Sequence, residues 1–129
     1  MGKLIQMKDN DGKVFPKIYD VYSHNEVKTN KVYIDENGKE WVIYRNIITG
    51  TLPTTNFTTF ITINNLNEIL LEDIRVTLTD GNKIKLPFVN LINNVYCDYY
   101  ISGNKYMTHF SASTYGNRPF KAILEYTKN

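Results

Sequence analysis

A chain of 129 residues, 42% hydrophobic and 22% charged, has the size and apolar content of one globular domain with a real core, which excludes a disordered tail. Its 15 Lys and Arg are scattered against 13 Asp and Glu for a net charge of +2, and no basic cluster appears along the chain, so nucleic acid is not an expected partner. No apolar run is as long as a membrane span, and the opening "MGKLIQMKDN" turns polar too soon for a signal peptide, so neither membrane insertion nor standard secretion is expected.

Ten tyrosines against one tryptophan, with many Thr and Ile, favour strands over helices. Residues 4–20, "LIQMKDNDGKVFPKIYD", read as a connecting piece, so 1–20 is an N-terminal arm and 21–129 a single β domain. The arm's turn at Asp9 to Gly12 invites a calcium reading. Placing Gly12 at the sixth position of an EF-hand loop puts Met7 first and Ile18 twelfth, where a carboxylate is required, so the turn is read as solvent-exposed.

From Lys31, "KVYIDENGKEWVIYRNII" gives two extended runs joined at Asn37 and Gly38, a pair suited to the positive φ angles of a tight hairpin. The return run carries Trp41, Ile43, Arg45 and Ile47 on one face and Val42, Tyr44, Asn46 and Ile48 on the other. Neither face is polar, which raises the question of what covers the second one. In "GTLPTTNFTTFITI", Gly50 and Pro53 break the chain, and Phe57, Thr59, Ile61 and Ile63 then alternate with Thr58, Phe60 and Thr62, again apolar on both sides. "NNLNEILLED" fits either a short helical turn or a loop. "IRVTLTDGNKIKLPFV" is a clear hairpin, with Ile74, Val76 and Leu78 inward, Arg75, Thr77 and Thr79 outward, and Asp80 and Gly81 at the tip. "VYCDYYISGNKYMTHF" turns over Gly103 and Asn104. In "FKAILEYTKN", Phe120, Ala122, Leu124 and Tyr126 alternate with Lys121, Ile123, Glu125 and Thr127. Short strands at this spacing predict an all-β, antiparallel, jelly-roll-like β-sandwich, with no long amphipathic helix.

Parts for catalysis are few. His24 and His109 sit in different contexts, no cysteine cluster accompanies them, and no nucleophile elbow, phosphate loop or dinucleotide fingerprint occurs. The expectation is no metal, no cofactor and no enzymatic activity. Cys97 lies in the alternating run Val95, Cys97, Tyr99, Ile101 and reads as buried core filler. Tyr96, Asp98 and Tyr100 occupy the opposite parity and project outward. Tyrosine rings beside a carboxylate suit a sugar, whose apolar face stacks on the ring while hydroxyls bond the polar groups, and the loop "STYGNRP" adds Tyr115, Asn117 and Arg118. The other reading is that Tyr96 and Tyr100 are cross-strand packing pairs or part of a subunit interface.

The segment "YSHNEVKTNKVYIDENGKEWVIYRNIITGTLP" resembles a recurring pattern of bacteriophage tail, appendage and head-fibre proteins, where it belongs to the distal C-terminal module. The matching positions are Tyr22, Ser23, Glu26, Tyr33, Ile34, Asp35, Gly38, Lys39, Ile43, Tyr44, Arg45, Thr49, Gly50, Leu52 and Pro53. "IQMKDNDGKVFP" resembles the arm entering such modules, "INNLNEIL" an internal segment, and "AILEYTKN" the closing strand. The chain departs from the pattern by inserting Glu36 and Asn37 and by carrying Tyr33 where tryptophan is common. The resemblance implies a β-sandwich homotrimer in a virion that recognises a bacterial surface glycan, joined to other virion proteins through its N-terminal arm. It transfers no catalytic or ligand-binding residue. Around a threefold axis a strand has neighbouring subunits on its second face, so Trp41, Val42, Tyr44, Arg45 and Phe60 are candidate interface residues, with Arg45 bonded to a carboxylate or carbonyl at the boundary. In the other reading, a loop covers that face and Arg45 reaches solvent. Rival functions are a purely structural trimerisation or capping module and a monomeric carbohydrate-binding module.

Overall fold

Short polar side chains set the turns of this protein. In the computed structural model, which describes residues 23–129, the Asp35 carboxylate accepts the backbone N–H groups of Asn37 and Lys39 at 2.9 Å each and the Trp41 indole N–H at 2.9 Å. With Gly38 at φ 81°, this closes the hairpin between β1 (Ser23–Ile34) and β2 (Glu40–Thr51). Asp80 repeats the device by accepting the Asn82 N–H at 2.9 Å, between β4 (Leu66–Thr77) and β5 (Lys83–Lys85). The segment "NNLNEILLED" is therefore neither a helical turn nor a loop. From Leu66 onward it is strand, with register irregularities between Leu66 and Glu68 and between Ile69 and Leu71. The remaining strands are β3 (Thr59–Thr62), β6 (Phe88–Asn90), β7 (Val95–Ser102), β8 (Lys105–Phe110) and β9 (Pro119–Lys128). Among the described residues a 3-10 turn at Ser113–Tyr115 is the one helical piece. The arm at 1–20, with its turn at Asp9 to Gly12, lies outside the described residues.

The strands form two antiparallel sheets, one ordered β1-β2-β9-β4-β5 and the other β3-β8-β7-β6. Strands distant in the chain pair in nested fashion, β2 with β9 and β3 with β8, so the chain wraps around its own core. Ile48, Ile74, Val76, Ala122, Leu124 and Tyr126 from one sheet meet Ile61, Cys97 and Tyr106 from the other, all essentially without solvent exposure. Phe60 and Phe120 meet edge-on across the sheets with ring centroids 5.3 Å apart. Each such aromatic or branched side chain contributes about 1.5–3 kcal/mol by leaving water. The architecture is the expected all-β, two-sheet sandwich.

The inward set follows the parity read from sequence in β4 and β9, but β3 departs from it. A register irregularity between Thr59 and Ile61 turns both Phe60 and Ile61 inward. Phe60 is thus a core residue, corrected from its assignment to a subunit boundary: its ring is enclosed by Tyr106 and Phe120.

The second face of β2 is covered in part by its own chain. β1 breaks register between Lys28 and Val32, and from there the Lys31 ammonium reaches Glu125 on β9 at 3.3 Å. Tyr33, opposite Trp41 on the same face, has its phenol pKa held above the ordinary value chiefly by the charge of Glu68 on β4. Thr127, on that face, is fully buried. Arg45 points outward, its guanidinium 3.8 Å from Glu125 of the same chain and its side chain 48% exposed.

Candidate ligand-binding face

The sheet β3-β8-β7-β6 turns Cys97, Tyr106, Thr108 and Phe110 into the core, which leaves Tyr96, Asp98, Tyr100, Met107 and His109 on its outer face. The hairpin register pairs Asp98 with His109 and Tyr100 with Met107. The Tyr96 and His109 rings lie 4.9 Å apart. Phe57, from the loop ahead of β3, adds its ring at 6.0 Å from His109 and 6.4 Å from Tyr100. Four aromatic rings therefore line one open face, with the Asp98 carboxylate among them. That carboxylate also accepts the Tyr99 N–H at 2.7 Å, which fixes one of its oxygens and leaves other lone pairs for a ligand hydroxyl.

Phe57 adopts φ 58°, a left-handed conformation that a bulky residue rarely takes, and it is 64% exposed. Several contacts impose this geometry. The side-chain amide of Asn56 donates to the Phe110 carbonyl at 2.7 Å and accepts the Phe110 N–H at 2.7 Å, acting as a one-residue extension of the sheet. The Phe57 N–H then donates to the Thr108 carbonyl at 2.9 Å. A conformation that costs on the order of 1–2 kcal/mol persists only because its neighbours over-determine it. The outcome is an aromatic ring held out in water.

Of the residues singled out from sequence, Tyr96 and Tyr100 do lie on this face. Tyr115 does not offer its ring to a ligand. It is 7% exposed and packs against Phe110 at 6.4 Å, because the 3-10 turn folds it under the loop. Asn117 and Arg118 bond through their backbones to Leu52, and no hydrogen bond, ion pair or ring contact joins them to Tyr96 or Tyr100. Of the candidate interface residues, Trp41 and Arg45 lie on the outer face of the other sheet. Tyr44 faces inward and stacks on Tyr126 at 6.4 Å. Val42 shares that parity and is half-buried.

Alternation along the sequence alone does not bring Phe57 and His109 to this face. Counting back from the Gly103 turn pairs Asp98 with His109, so His109 was within reach. Parity places Phe57 in a continuous strand, and nothing local marks its left-handed backbone.

A second concavity, about 120 Å³, opens beside Glu26, Asn46, Tyr126 and Lys128. The Tyr126 hydroxyl donates to Glu26 and accepts from the Asn46 amide at 3.1 Å, while the Lys128 ammonium sits 2.9 Å from Glu26. The space equals roughly four water molecules, well below the several hundred Å³ of an ordinary ligand site.

Among the described residues no group of His, Cys, Asp and Glu has the makings of a metal site, and no helix is long and apolar enough to cross a membrane. Cys97 is fully buried, and burial pushes its thiol pKa up to about 12, so it carries no nucleophilic thiolate at neutral pH. No family model matches the chain, no curated protein matches it, and no solved structure matches it.

Proposed function

We propose that this chain is a non-enzymatic, jelly-roll-like module of a bacteriophage tail, appendage or head fibre that binds a polysaccharide of the bacterial host surface as a homotrimer in the virion. The observation that carries recognition is Phe57, held in a costly backbone conformation to present its ring beside Tyr100, His109 and Tyr96. Strained, exposed aromatic side chains cluster where ligands bind, and sugar rings stack on such surfaces while hydroxyls bond a carboxylate such as Asp98. The phage assignment rests on the ordered motifs from Tyr22 to Pro53 and in the closing strand. Stacking with a few hydrogen bonds gives roughly millimolar affinity per site, and three linked copies raise it about a hundredfold.

A second reading is favoured by the turn between β6 and β7. There Asn90 Oδ1 accepts the N–H groups of Ile92 and Asn93 at 3.0 and 3.3 Å, which fixes Leu91 and Ile92 at 85% and 95% exposure. Two large apolar side chains on a rigid tip suit a protein contact, as in a structural trimerisation or capping module.

The test is titration of the full chain with a panel of neutral bacterial polysaccharides, comparing wild type with Phe57→Ala and Tyr100→Ala. The expected result is saturable binding that each substitution weakens about tenfold with the circular dichroism spectrum unchanged. Binding to no polysaccharide, or folded variants that bind as wild type does, would overturn it in favour of the structural module.

A further inference from the structure

Although the chain has no basic cluster in sequence, its register builds one. On the outer face of the five-stranded sheet, Lys121 of β9 stands opposite Arg75 of β4, and Arg75 stands opposite Lys85 of β5. Lys83, one pair further along the β4–β5 hairpin, faces the same way opposite Thr77, and Thr49 of β2 flanks Lys121. Neighbouring strands are about 4.8 Å apart, so Lys121, Arg75 and Lys85 form a row roughly 10 Å long. Asp73 answers Arg75 at 3.0 Å on the same strand and is also felt by Lys85. Lys121 and Lys83 have no ion-pair partner among the described residues.

Like charges placed directly opposite on neighbouring strands are destabilising. Here two such pairs adjoin, on a face where threonine alternates with the cations. From this arrangement we infer that the corner formed by Lys121, Arg75, Lys83 and Lys85 binds an anionic polysaccharide, one whose chain carries phosphate or carboxylate groups. The cations neutralise successive anionic groups, and the threonine hydroxyls bond the sugar between them. The row carries no aromatic side chain on which a base could stack and no helix to enter a groove, so nucleic acid fits it less well. It carries no exposed apolar side chain to enter a membrane. This surface belongs to the sheet opposite the aromatic face and acts independently of it.

The experiment measures binding of the full chain to polygalacturonate, polyglycerol phosphate and neutral dextran across a series of sodium chloride concentrations. The expected result is preference for the anionic polymers, weakening as salt rises. Lys85→Gln and Lys121→Gln should each weaken binding about threefold and lower the slope of log affinity against log salt by about one. Lys28→Gln, a charge removed from the other end of the sheet, should bind these polymers as wild type does. The inference is overturned by binding to neither anionic polymer above dextran, or by Lys28→Gln weakening binding as much as Lys85→Gln. Tighter binding of a DNA duplex through the same lysines would also overturn it.

Discussion

Tyr106 of β8 donates its hydroxyl to one oxygen of Glu72 on β4 at 2.7 Å, and Tyr99 of β7 donates to the other oxygen at 2.6 Å. One carboxylate thereby ties the two sheets together at the margin of an otherwise apolar core. Both phenols are partly or wholly removed from water, so the carboxylate satisfies donors that would otherwise be left unpaired.

Removing this tie should be measurable. A hydrogen bond to a charged group contributes about 1.5–3 kcal/mol, so Tyr106→Phe is expected to lower unfolding free energy by that amount in a urea titration. Glu72→Ala should cost more, since it strands two phenol hydroxyls at once. A Tyr106→Phe variant as stable as wild type would show that water replaces the bond without loss.

The same groups predict alkaline behaviour. Burial is the largest cause raising the Tyr99, Tyr106 and Tyr126 pKa values, with bonds to Glu72 and Glu26 adding to it. Because the folded values lie above the unfolded one, the stabilisation is fully present below the ordinary tyrosine pKa of 10.0 and is lost as pH rises beyond it. Tyrosinate absorbance should therefore rise in two stages, exposed phenols first and these three together with the loss of far-ultraviolet dichroism. A single smooth titration with the fold intact would contradict this.

Phe57→Gly separates strain from function. Glycine occupies φ 58° without penalty, so relief of about 1–2 kcal/mol offsets the lost ring contacts with Tyr100 and His109. The variant should unfold at an equal or higher urea midpoint than wild type while losing polysaccharide binding. Reduced stability would mean that the ring contacts outweigh the strain and that the loop is held for packing.

Assembly is the fourth expectation. Val27, Val32, Ile34 and Leu71 of the five-stranded sheet are each about half exposed, alongside Leu91 and Ile92 on the β6–β7 turn. Such scattered apolar area is consistent with burial between subunits. Light scattering is expected to return three times the chain mass of 15.0 kDa, and a monomer would remove the trimer from the proposal.

Where a segment's turn and its inward parity are set by neighbouring residues, the sequence was readable. The Asn37, Asp80 and Gly103 turns and the inward run of Phe120, Ala122, Leu124 and Tyr126 all follow from local chemistry. Three features do not. Phe60 turns inward through an irregularity imposed by pairing with β8, Tyr115 is folded under by a 3-10 turn, and "NNLNEILLED" becomes strand because β9 is there to pair with it. The aromatic face was half legible, since Tyr96, Asp98 and Tyr100 share a strand. Phe57 comes from a loop held by Asn56, and the cationic corner from three strands whose order no local pattern announces.

The central place of β9, between β2 and β4, has a consequence for biosynthesis. Until residues 119–128 have left the ribosome, β2 and β4 each keep an open edge with unpaired amide and carbonyl groups, and the nascent chain is at its most vulnerable to edge-to-edge aggregation. A polypeptide clipped or stalled before Pro119 would lose a strand from the middle of the sheet. Such fragments should go to proteolysis or inclusion bodies.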